Sequence, residues 1–164
     1  MLVARAQLDF IRDLVARFEQ DDSMMRPVAD YQSQYVAIIA LLRSVGHVFD
    51  KVDCDDVERR AWGRSRWSAW KQDPIFGTFI EPTRNALLKE FQGGLQLHSA
   101  AFGPTAVVAD PSLPGGFSHV AAFDAREARD LTGKPVLPQL HAAIAFWDRC
   151  LNEAEAKFGE SSAR

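Results

Sequence analysis

The chain has 164 residues, 47% of them hydrophobic and 25% charged, which fits one globular domain with a core of its own. A formal net charge of −3 excludes a global positive field for nucleic acid. No apolar run approaches the roughly 20 residues that a membrane-spanning helix needs, so no membrane partner is expected.

A first helix is predicted over residues 2–19, with Phe10, Ile11, Leu14, Val15 and Phe18 as its core stripe. Its charges, Arg5, Asp9, Arg12, Asp13 and Arg17, rule out a signal peptide. Asp21, Asp22 and Ser23 end it, and Pro27 suits the first turn of the next helix. In that second helix Val28, Tyr31, Tyr35, Ile38, Leu42, Val45, Phe49 and Val52 recur at alternating steps of three and four. Such a seam predicts a long helix lying nearly along its neighbours. Val36 and Ile39 widen the stripe, which favours a globular bundle over a two-chain coiled coil. His47 falls on the outward side, as a solvated histidine.

Asp53, Asp55 and Asp56 break the pattern and offer caps for a third helix over 57–72. Asp73 and Pro74 read as cap and first residue of a fourth segment reaching 92. Pro82 lies inside it, at a cost of ~3 kcal/mol in a regular helix interior. A kink or a fresh start is therefore predicted just before Arg84, and Gly93 and Gly94 end the segment. Six of the ten glycines and five of the eight prolines lie in 93–138, so this stretch is not helix core. Residues 105–109 and 117–123 form either a small β-hairpin around 110–116 or an ordered loop. Residues 124–131 add a helical turn or two. A last helix runs from 136 or 138 to 158, on Leu140, Ile144, Trp147, Leu151, Ala154 and Phe158, with Lys157 in its last turn, Gly159 as its stop and a frayed tail. The fold class is thus mainly α: a four- to five-helix bundle, one domain over 1–164, with a Gly/Pro-rich insertion at about 93–138.

Cys54 and Cys150 have no CxxC spacing and read as reduced packing thiols of a cytoplasmic protein. His98, His119 and His141 lack metal-ligand spacing, and there is no phosphate loop, nucleophile elbow or HExxH pattern. No metal or cofactor is called for. The third helix carries Arg59, Arg60, Arg64, Arg66 and Lys71 with Trp62, Trp67 and Trp70 interleaved. Guanidinium and indole groups stack on unpaired bases while arginine meets phosphate, which makes an RNA face. In the alternative, the tryptophans pack inward and the arginines lie over them with their heads in water.

On the fourth segment Phe76, Ile80, Thr83, Leu87 and Phe91 share one face, and Arg84 stands at its margin. A guanidinium there either holds a structural ion pair or lines a site. The arrangement Phe76, Phe79-Ile80, Arg84-Asn85, Lys89-Glu90, after a long heptad-like helix and a Trp-bearing segment, resembles the signature of HEPN-domain proteins. That resemblance implies an all-α bundle of the ribonuclease-toxin or abortive-infection type. It implies a homodimer whose facing helices form an RNA groove, and an antitoxin or regulatory partner. Arg84 and Asn85 match the arginine and polar residue of the family motif; Lys89 stands where the family usually has histidine. Metal-independent cleavage needs a base, an acid and positive charge at the phosphate. Arg84 fits the last task, Asn85 can orient a phosphate or ribose oxygen, and Lys89 serves better as a charge clamp than as a proton carrier. The departure favours binding of RNA or another phosphate-bearing ligand over cleavage. A non-catalytic dimerisation or partner-binding module is the alternative.

Overall fold

Ala4, Leu8, Ile11, Val15 and Phe18 recur at steps of four and three, and this spacing winds Val3–Gln20 into α1 with one buried face. Phe10 belongs to the other side. It lies about 200° round from Leu8 and is 54% exposed, which corrects its expected place in the core stripe. The computed structural model describes residues 1–20, 28–90, 92, 94–99, 106–109, 117–120 and 126–162.

α2 (Val28–Val48) buries Tyr31, Tyr35, Ile38, Ile39, Leu42 and Val45, the expected seam. The chain then widens into a π-helical segment, Phe49–Asp53. The i→i+5 turn shifts the periodicity by one residue. Phe49 stays buried, Val52 rotates out to 50% exposure, and Asp53 turns in, 7% exposed. Val52 is thus not a core position. Asp53 caps a different helix from the one expected: it accepts hydrogen bonds from the Val3 and Ala4 amides at the start of α1, at 2.7 and 2.9 Å.

Asp56 is the cap of α3 (Val57–Trp70), accepting from the Arg59 amide at 2.7 Å. Asp73 accepts from the Ile75 amide at 3.0 Å. A second π-helical segment, Phe76–Ile80, leads into α4 (Glu81–Leu88), with Pro82 in its first turn. Ile80 and Glu81 keep right-handed helical dihedrals, so the helical run continues through Pro82, and the proline directly follows the i→i+5 turns rather than a fresh start. α4 stops at Leu88, short of 92; Phe91 and Gly93 lie outside the described residues.

The insertion contains nested antiparallel pairs. β1 (Leu95–Ser99) pairs with β4 (Arg126–Asp130), Leu95 opposite Asp130. Between them in the chain, β2 (Ala106–Ala109) pairs with β3 (Phe117–Val120), Ala106 opposite Val120. The hairpin reading holds for 106–109 and 117–120; residue 105 and the stretches 110–116 and 121–125 lie outside the described residues. The helical turns expected at 124–131 are corrected, since Arg126–Asp130 is a strand. Helix propensity is a weak preference, and pairing with β1 while Ala128 packs on the core overrides it.

α5 (Val136–Ser162) runs straight through Gly159, so that glycine is not a stop and Lys157 is not in the last turn. Left-handed glycines occur instead at Gly94, before β1, and Gly133, in the β4–α5 turn. α5 lays Trp147 at the centre of an aromatic cluster with Trp67, Trp70, Phe76 and Phe146. α1 packs on α2 and α5, α2 on α4, and α3 on α5. Among the described residues no helix is long and apolar enough to cross a membrane.

Candidate functional site

Ile80 and Leu87 bury one side of the α4 region, which leaves Arg84 and Asn85 half-buried at its edge. The Arg84 Nη1 donates to the Asn85 side-chain oxygen at 3.0 Å, and no carboxylate among the described residues pairs with Arg84. Glu81, one turn earlier, lies 3.6 Å from Arg43 of α2 instead. Lys89 is the exposed C-cap of α4. It lies five positions and about 140° round from Arg84 on a regular helix. One copy of the chain thus joins Arg84 to Asn85 and leaves Lys89 apart.

On α3 the tryptophans turn towards the bundle. Trp67 stacks on Trp147 with ring centres 6.3 Å apart, and Trp70 is buried with its Nε1 donating to Glu153 at 3.1 Å. Trp62 sits edge-on to Phe49, Trp70 and Phe158. Arg59 lies over the Phe158 ring at 4.8 Å and pairs with Asp55 and Asp56, at 3.3 and 3.5 Å. Arg66 pairs with Glu153. Arg60 donates to the carbonyls of Cys54 and Asp55, both at 3.3 Å. Of the expected RNA face, Arg60, Arg64 and Lys71 remain exposed without a carboxylate partner among the described residues.

The structure adds a cleft that sequence reasoning missed. Arg43, His47 and Asp50 follow one another at steps of four and three along α2 and the first π segment. They face Arg64 and Trp67 of α3 across a cavity of about 230 Å³. Gly46 and Gly63 lie between them. The Arg43 guanidinium carbon is 5.5 Å from the Trp67 ring centre and 5.4 Å from that of Phe76. Its Nη1 is buried and has no hydrogen-bond partner among the described residues. The hydrogen bond from Lys51, at 2.8 Å, holds the Asp50 carboxyl below its ordinary value; burial opposes this, and Arg64 and Arg60 add to it. The polar spacing Arg43-His47-Asp50 was available in the sequence, but its meaning depends on the facing helix.

The two thiols are not poised as nucleophiles. Burial pushes Cys54 up to about 11 and Cys150 up to about 12. His47 is exposed, as expected; His141 is 53% exposed and 3.4 Å from Glu19. His98 and His119 lie in β1 and β3. Among the described residues no group of three acidic, histidine or cysteine side chains could hold a metal ion. Compared with protein-family models, curated proteins and solved structures, the chain matches none of them.

Proposed function

We propose that the protein binds RNA, or another phosphate-bearing ligand, through Arg84 and Asn85 without cleaving it. One observation carries this: Arg84 is half-buried, yet its only partner among the described residues is the neutral Asn85, which leaves a fork of charged donors for an external anion. The resemblance to HEPN proteins supplies the rest of the proposal. Two copies would set their α4 helices face to face, so that Arg84 and Asn85 of each copy meet the same ligand. Leu88, 47% exposed beside Lys89, gives that face an apolar contact. Lys89 would clamp the phosphate by charge, and no histidine follows Arg84 on α4 to move a proton.

The test is RNA binding and sedimentation of the parent and of Arg84→Ala. We expect a dimer, a loss of affinity of about tenfold or more in the variant, and a steep fall of binding with salt. Equal binding by both proteins removes the reading. Degradation of RNA by the parent, lost in Lys89→Ala, would replace binding with catalysis. The engagement of Arg59 and Arg66 in ion pairs within the chain, and of Trp67 against Trp147, favours a second reading, a non-catalytic partner-binding module. In that case Arg84→Ala would leave RNA behaviour unchanged and weaken self-association.

A further inference from the structure

We propose that the cleft between α2 and α3 is a separate anion site, built to take a terminal phosphomonoester between Arg43, His47 and Arg64. It does not depend on Arg84, which lies on another helix and does not line the cleft.

Arg43 is the inner wall. Its guanidinium lies 5.5 Å from the Trp67 ring centre and 5.4 Å from that of Phe76, and its Nη2 is 3.6 Å from Glu81. Its Nη1 has no acceptor among the described residues. A buried donor without a partner is costly, and such a group in a charged side chain is more so. A ligand oxygen at the inner end of the cleft supplies the acceptor that the fold withholds. Arg64, exposed on α3, and His47, exposed on α2, stand at the mouth. The opposing carboxylate, Asp50, is already engaged by Lys51.

Ligand class follows from this layout. One guanidinium fork satisfies both oxygens of a carboxylate. Two forks approaching from different helices fit a tetrahedral group, which offers oxygens in more than one direction. The enclosed volume, about 230 Å³, admits the end of a chain or a small molecule rather than a strand passing through. Gly46 sets the closeness of the walls, since a Cβ there would lie 2.4 Å from the Trp67 ring.

Calorimetric titration of the full chain with inorganic phosphate, adenosine 5′-monophosphate, adenosine and acetate decides the matter. We expect the two phosphate compounds to bind and the other two not to. Arg64→Ala and Arg43→Lys should each weaken the monophosphate by about tenfold or more. Asp50→Asn should tighten it, and these effects should persist in an Arg84→Ala background, which removes the other proposed phosphate-binding residue. In the Arg84→Ala background, a 5′-phosphorylated RNA oligomer is then compared with its 5′-hydroxyl form. Preference for the phosphorylated oligomer assigns the site to strand ends; indifference, with the monophosphate still bound, assigns it to a free mononucleotide. Should Arg43→Lys fail to fold, the exposed Arg64 decides alone. The proposal is overturned if the monophosphate does not bind, if Arg64→Ala binds it as the parent does, or if acetate binds as well as phosphate.

Discussion

Asp53 ties the first turn of α1 to the end of the π segment that follows α2, across about fifty positions of chain. It satisfies two amides that the helix itself cannot, and it does so from a buried position. Asp53→Ala leaves both amides without an acceptor, and we expect a stability loss of ~2 kcal/mol, read from the urea midpoint. An unchanged midpoint would mean that water replaces the carboxylate. The sequence marked Asp53 as a breaker of the apolar seam, but the helix it caps is remote in sequence and could not be read from spacing. The cysteines were legible, as packing residues, because a small apolar side chain needs no partner. Burial raises Cys54 to about 11, with Asp50 and Asp53 adding to the effect, and Cys150 to about 12. A thiol whose folded value is raised stays protonated until the pH passes that value, so thiolate is scarce in the folded protein at pH 8. We expect neither thiol to react with a disulfide reagent at pH 8 until denaturant is added. Fast labelling of the folded chain would contradict that burial.

The Trp67 ring of α3 comes close to the α2 backbone at Gly46. A Cβ on Gly46 would lie 2.4 Å from the Trp67 ring and 2.9 Å from Trp147, both held by the core, so the clash cannot be relieved by a flexible side chain. Gly46→Ala should cost about 1–3 kcal/mol by overpacking. Gly77→Ala, with nothing within 4 Å of the new Cβ, should be neutral or slightly stabilising. Chemical denaturation of the two variants side by side checks the contrast; equal effects would show that the helices can separate. Helix limits were readable wherever a cap acts locally, as at Asp56 and Asp73. They were misread where the deciding contact is not local. The strand Arg126–Asp130 exists because β1 pairs with it, and the π turn at Phe49–Asp53 exposes Val52 in place of Asp53. A strict step of three and four has no way to anticipate an inserted residue.

At the scale of the molecule, one aromatic cluster joins α3, α5 and both π segments. Phe49 stacks on Phe158 and touches Trp62 and Trp70, while Trp147 touches Trp67, Trp70, Phe76 and Phe146. Because α3, α5 and both π segments share this cluster, we expect tryptophan fluorescence and far-ultraviolet dichroism to report one coincident unfolding transition. Phe49→Ala should move both together, by about 3–5 kcal/mol. Separate transitions would show that α3 unfolds independently of the rest. The sequence by itself determined the helical bundle, the apolar faces, the helix starts at local caps and the inert thiols, because each follows from short-range periodicity or from the chemistry of one side chain. Only the tertiary structure decided which cations of α3 remain free, which amides Asp53 caps and that Arg43 faces Arg64 across a cleft. Those are relations between residues distant in the chain, such as the approach of the Trp67 ring to the α2 backbone, which the missing side chain at Gly46 allows.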